Sequence, residues 1–160
     1  MISKKKIEEI VAESLADTEI VPVDVQVSSA NTIKVFLDAE KGVSISDCVN
    51  ISRSIEGQLD RDKEDFELEV SSYGLFSPFK LLLHYKKNLG REIEVYLNEG
   101  KNFKGVLSNF ETDANNNLEY IEVIQKKKKK LEGKKKKIEV EEIIKVKKDE
   151  IKKVKLVPKF

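Results

Sequence analysis

Apolar residues recur along this chain with two periods, and the switches between them set out its elements. In residues 4–16, Ile7, Ile10, Val11 and Leu15 fall at three- and four-residue spacing behind Ser3. That spacing predicts one apolar stripe on a helix capped by Ser3. In 19–28, Val21, Val23, Val25 and Val27 alternate with Pro22, Asp24, Gln26 and Ser28. This is the pattern of a half-buried strand, and Pro22 puts its start near an edge or a strand end. Ser28-Ser29-Ala30-Asn31 reads as a turn, after which Ile33, Val35 and Leu37 alternate in a second strand, so the two predict a hairpin. Ser44 with Asp47 resembles a capping box opening a helix over 46–59, which would bury Cys48, Ile51, Ile55 and Leu59. Phe66, Leu68 and Val70 then alternate with Glu67 and Glu69 in a third strand. It is expected to stop at Ser71-Ser72-Tyr73-Gly74, where glycine permits a left-handed turn, and Pro78 fixes a second change of direction. Two helices on one face of a three-stranded sheet would bury these stripes.

Beyond this interdomain joint (Ser71, Ser72, Tyr73, Gly74 and Pro78) the pattern changes. Residues 79–88 read as a short helix or turn ended by Gly90. Strands are predicted over 92–97, 103–110, 118–124, 138–146 and 154–157, with Gly105 marking a bulge or sharp bend. Five short strands joined by tight turns favour a small closed barrel, because closure removes exposed edges. The fold class is therefore α+β: an α-β-β-α-β domain over 1–78 and a small all-β barrel over 79–160.

Charge sharpens this division. Residues 1–84 hold 9 Lys+Arg against 16 Asp+Glu, whereas 85–160 hold 21 against 13. The overall net charge of +1 conceals that split, and a basic half is a reason to consider nucleic acid. Nine of the twelve residues in 126–137 are lysine: Lys126, Lys127, Lys128, Lys129, Lys130, Lys134, Lys135, Lys136 and Lys137. They are expected at the tip of a long hairpin, an extension over about 125–137, between the third and fourth barrel strands. The tract reads equally as a finger touching phosphates and as a solvated extension; without interleaved Arg or aromatics it could hold a backbone but not read bases.

Little in the sequence points to catalysis. Cys48 is the one cysteine and lies on a helical apolar stripe, so a core role outweighs a nucleophilic one. His84 is the one histidine, and no nucleophile is spaced to use it. Phosphate-binding glycine loops and zinc pairs are missing, and the loop from Asp60 has Asp65 where a calcium loop needs Gly. No catalytic residue, metal or cofactor is expected. No apolar run is long enough to span a bilayer and the opening residues lack a signal-peptide core, so a soluble cytoplasmic protein is expected.

Leu68-Glu69-Val70-Ser71-Ser72-Tyr73-Gly74-Leu75, followed by Pro78, resembles the L-E-V-S-S-P-G-L signature of the RimP family of bacterial ribosome maturation factors. The stretch Gly42-Val43-Ser44-Ile45-Ser46-Asp47-Cys48 with Ser52-Arg53, and the stretch Ile151-Lys152-Lys153-Val154-Lys155-Leu156-Val157-Pro158, are similar to further family segments in the same order. Tyr73, Phe76 and Ser77 depart from the family's usual Pro, Asp and Arg. The resemblance implies that the C-terminal barrel is Sm-like, of SH3 type. It implies a non-catalytic factor that binds the immature small (30S) ribosomal subunit and helps its assembly. Its partners would be ribosomal RNA and a small-subunit ribosomal protein, and it would act as a monomer. The alternative is an Sm-like RNA-binding module acting on other RNAs.

Overall fold

The computed structural model describes residues 2–130, 133 and 137–158, apart from the side chains of residues 129, 130 and 137. The chain divides into two compact units, Met1–Gly74 and Leu75–Phe160.

The first unit follows the predicted order: α1 (Lys4–Leu15), β1 (Val21–Val27), β2 (Thr32–Asp38), α2 (Ile45–Gly57) and β3 (Glu67–Ser72). Ser3 caps α1, its Oγ accepting the Lys6 N–H at 3.1 Å. β1 and β2 form an antiparallel hairpin, and Asn31 at its turn takes the left-handed φ of 57° that asparagine tolerates. β3 returns parallel to β2, giving the order β1-β2-β3, so the connection through α2 crosses over one face of the sheet. Ile33, Val35 and Leu37 of β2 share a core with Ile7 and Val11 of α1, Ile55 of α2 and Phe66. Burying each such side chain contributes roughly 1.5–3 kcal/mol. Ser14 and Ser54 hydroxyls, 2.7 Å apart, tie α1 to α2. Cys48 and Leu59 are only partly buried, in contrast to the sequence expectation, because α2 turns Ile51 and Ile55 rather than Cys48 into the core.

The second unit comprises α3 (Leu82–Lys87), β4 (Glu92–Leu97), β5 (Asn102–Thr112), β6 (Leu118–Lys130), β7 (Lys137–Lys147), a single 3₁₀ turn (Lys148–Glu150) and β8 (Ile151–Leu156). All the strand pairs are antiparallel, in the order β7-β6-β5-β4-β8. Ile93, Val95, Leu107, Ile121, Val123 and Val154 are almost wholly buried on one face.

Three expectations do not hold in this unit. The sheet does not close into a barrel: among the described residues β7 and β8 are its two edges and share no ladder. Nor are the strands uniformly short, for β6 has 13 residues and β5 and β7 have 11 each, because cross-strand pairing carries the hairpin on beyond the core. Gly105 is not a bulge: it stays in register with Ile93, and the ladder shifts lie further along β5. Its role is close approach. A Cβ there would stand 2.5 Å from Val123 Cγ1 and 2.7 Å from the Ile124 carbonyl oxygen.

Backbone atoms cannot yield to that contact cheaply. Gly105→Ala is expected to destabilise the second unit by about 1–3 kcal/mol. Amide hydrogen exchange would show faster opening of β4, β5 and β6, with the protection of β1, β2 and β3 unchanged.

Candidate functional site

The described lysines of the tract lie in paired strands at the far end of the β6–β7 hairpin. Lys126, Lys127, Lys128, Lys129 and Lys130 are the last five residues of β6, and Lys137 is the first of β7. Lys134, Lys135 and Lys136 lie outside the described residues. The reason is register. β7 opens as Lys-Ile-Glu-Val-Glu-Glu, so antiparallel pairing sets Lys126 opposite Glu141 and Lys128 opposite Glu139. On the other face Lys127 Nζ reaches Glu142 Oε2 diagonally at 3.1 Å. Such exposed pairs are worth at most about 1 kcal/mol, but they offset charge where the sequence showed only lysine.

A second group of lysines, which sequence reasoning did not single out, converges elsewhere in the second unit. Lys80 precedes α3, Lys148 is in the 3₁₀ turn, and Lys152 and Lys153 are in β8. Together they rim a cavity of about 380 Å³ whose inner wall includes Phe79 and Tyr85. No carboxylate-bearing residue lines it among the described residues. Phe79 is anchored there by its N–H, which donates to the Val154 carbonyl at 2.8 Å, and by edge-on packing against Tyr85 at 5.1 Å. Tyr85 is 7% exposed, and burial pushes its phenol up to about 12, so it stays neutral. Lys153 Nζ also sits 4.6 Å from the Tyr96 ring centroid. Cations around an aromatic wall form a site suited to a phosphate-bearing chain.

His84 has a local structural task. Its Nδ1 accepts the N–H groups of Lys80 at 2.9 Å and Leu81 at 3.0 Å, holding the segment that leads into α3. An accepting Nδ1 places the proton of the neutral ring on Nε2. No cluster of three or more His, Cys, Asp or Glu able to hold a metal occurs among the described residues.

The predicted joint residues divide. Ser71 and Ser72 belong to β3, which runs two residues further than alternation indicated. Tyr73 extends the ladder, its N–H donating to the Leu37 carbonyl at 2.8 Å, and packs edge-on against Phe36 with centroids 6.4 Å apart. Gly74 is the last residue of the first unit. Its backbone is not left-handed; the glycines with positive φ are Gly42, Gly90, Gly100 and Gly133. Pro78 follows a turn at 75–76 and precedes anchored Phe79.

In the first unit, the start of α2 is fixed by the predicted capping box. Ser44 Oγ accepts the Asp47 N–H at 3.1 Å, and the Asp47 carboxylate accepts the Ser44 N–H at 2.9 Å. That turn presents Ile45, Cys48 and Val49 beside β3.

The family model of the RimP N-terminal domain matches residues 6–76, the span from α1 to just past β3. A ribosome maturation factor RimP of Porphyromonas gingivalis is 42% identical over 107 residues, 67% of this chain and 70% of that protein. The chain belongs to the RimP family. Two further proteins of that name, from Flavobacterium psychrophilum and Christiangramia forsetii, are 42% and 41% identical over 96 and 93 residues. Those matches span 62% and 61% of the relatives' own lengths. The family's signature segment coincides with β3 and the residues just after it, and its Gly42-to-Cys48 segment with the capped start of α2.

The capping box makes a pH-dependent contribution of known sign. The hydrogen bonds from the Ser44 N–H and hydroxyl hold the Asp47 carboxyl below its ordinary 3.8. A depressed carboxyl stabilises the fold above its unfolded value and loses that contribution as pH falls through its folded value. Asp47→Asn is therefore expected to lower the urea midpoint at neutral pH, with the gap to the parent closing below about pH 4. Ser44→Ala is expected to cost about 1 kcal/mol.

Proposed function

We propose that this protein is a ribosome maturation factor that binds the immature small ribosomal subunit in the cytoplasm during assembly, without catalysing a reaction. The observation that carries the reading is the 41–42% identity to proteins named ribosome maturation factor RimP. The charge split supports a division of labour: the basic unit meets ribosomal RNA, and the acidic unit meets a basic small-subunit protein. The phosphate contact is assigned first to Lys148, Lys152 and Lys153 around their cavity. The lysine tract takes second place, because Lys126, Lys127 and Lys128 face or touch glutamates. No helix among the described residues is long and apolar enough to cross a membrane.

The second unit is proposed to be an Sm-like, SH3-type domain. Its strand order β7-β6-β5-β4-β8, with a 3₁₀ turn before the last strand, supports that reading. The two open edges favour one competing function, in which copies pair edge to edge and act on other RNAs. The protein is proposed to act as a monomer, so sedimentation as a ring would favour the competitor.

Co-sedimentation with small subunits over a salt series tests both function and contact. The parent should bind, with log affinity falling linearly against log salt. Changing Lys148, Lys152 and Lys153 together to Gln should flatten that slope by about 2. The same change at Lys126, Lys127 and Lys128 should flatten it by less than about 1. No binding at low salt would contradict the function; the reverse ranking would return the contact to the tract.

A further inference from the structure

β3 pairs only with β2, so among the described residues its other side is an open sheet edge. Which main-chain groups that edge offers follows from two hydrogen bonds. The Glu67 N–H donates to the Asn31 carbonyl at 3.0 Å, and the Tyr73 N–H to the Leu37 carbonyl at 2.8 Å. Between them the register has no shift. Alternation therefore points residues 67, 69, 71 and 73 at β2, and the N–H and C=O of Leu68, Val70 and Ser72 outward.

A groove of about 480 Å³ runs beside this edge, floored by Ile45, Cys48, Val49 and Ser52 of α2. Ile45 is 86% exposed and Val49 40%, although α2 has a core face that it fills with Ile51 and Ile55. Capping-box geometry rather than packing holds these apolar side chains at the groove. An open strand edge next to an apolar helix flank is the geometry by which an extended peptide adds to a sheet.

Charge selects the kind of peptide. Among the described residues Glu69, on the strand edge, is the only charged residue that borders the groove. Residues 1–74 hold 8 Lys+Arg against 16 Asp+Glu, net −8. Glu67 and Glu69 are paired with Thr32 and Lys34 of β2, on the face away from the helices, whereas Leu68 and Val70 lie on the helix face with Ile33 and Val35. A fourth strand beside β3 would thus meet apolar surface on one face and carboxylates on the other. RNA phosphates would be repelled. A second copy adding through the same edge would crowd Glu67 and Glu69 onto one face with their own equivalents, an unfavourable gathering of like charge.

We propose that the groove between β3 and α2 docks an extended basic segment of a partner protein, added as a fourth strand to β3. Its apolar side chains lie over Ile45 and Val49, and its alternate Lys or Arg side chains lie beside Glu67 and Glu69. The inference goes beyond the proposed RNA contact and names the surface through which the acidic unit meets a basic protein. It is carried by residues of the first unit, so its failure would leave ribosome binding through the basic unit standing.

The test uses the full chain, labelled with nitrogen-15, and synthetic peptides alternating Val with Lys or Val with Glu. The Val-Lys peptide should shift the amides of Leu68, Val70 and Ser72, slow their hydrogen exchange, and shield Cys48 from alkylation. Methylating alternate peptide nitrogens in either of the two possible frames should change affinity unequally, with the frame facing β3 losing at least about tenfold, about 1.4 kcal/mol. Ile45→Asp should weaken binding to a similar extent without lowering the denaturation midpoint, since Ile45 is 86% exposed. The proposal is overturned if the Val-Glu peptide binds equally well or if the shifts fall elsewhere. It is also overturned if the same amides are protected by self-association or by an RNA oligonucleotide.

Discussion

Two-residue alternation along the strands decides which side chains enter a core and which charges meet. In each unit one face of one sheet is buried, so the register of every pair is fixed: a slip by one residue would turn a buried set out to water. In β2 this puts Ile33, Val35 and Leu37 under the helices, and in β6 it puts Ile121 and Val123 into the second core. The same constraint operates where no core remains. The register that buries Val123 continues up the hairpin and delivers Lys126 and Lys128 to Glu141 and Glu139.

The parallel return of β3 has consequences of its own. Parallel pairing requires a crossover, and α2 supplies it, so the helix lies along the flank of an edge strand. One set of main-chain groups on β3 is spent on β2 and the other is left outward, next to the apolar side chains that the Ser44–Asp47 box holds at the start of α2. The family's most recognisable segment falls on this strand. It brings together exposed backbone, an apolar flank and carboxylates, the features on which the proposed docking of another chain rests.

Alternation and capping were legible in the sequence because they are local. Ser3, Ser44 with Asp47, and the valines of β1 announced their elements without reference to anything distant. What the sequence hid depends on pairing. A run of lysines reads as unopposed charge until its partner strand is known to open with alternating Ile, Val and Glu. Gly74 read as a left-handed hinge, yet the ladder continues through Tyr73, and Phe36 gives that ring a packing partner. Gly105 read as a bulge because a missing side chain looks the same in sequence whether it serves a bend or a close approach to Val123. The lysine-rimmed cavity was out of reach because Lys80 and Lys148, Lys152 and Lys153 come from stretches far apart in the chain. The open edge left by β7 and β8 likewise follows from ladder lengths that local pattern does not set.

The central claim is that the two units meet two kinds of partner on the assembling subunit, the basic unit RNA and the acidic unit protein. Zero-length and ultraviolet crosslinking on assembling small subunits, read by mass spectrometry, addresses it directly. The account predicts RNA crosslinks within 75–160, concentrated on Lys80, Lys148, Lys152 and Lys153, and protein crosslinks from the carboxylates of 1–74, led by Glu67 and Glu69. RNA crosslinks concentrated on β3 and α2, with none at the lysine-rimmed cavity, would contradict it.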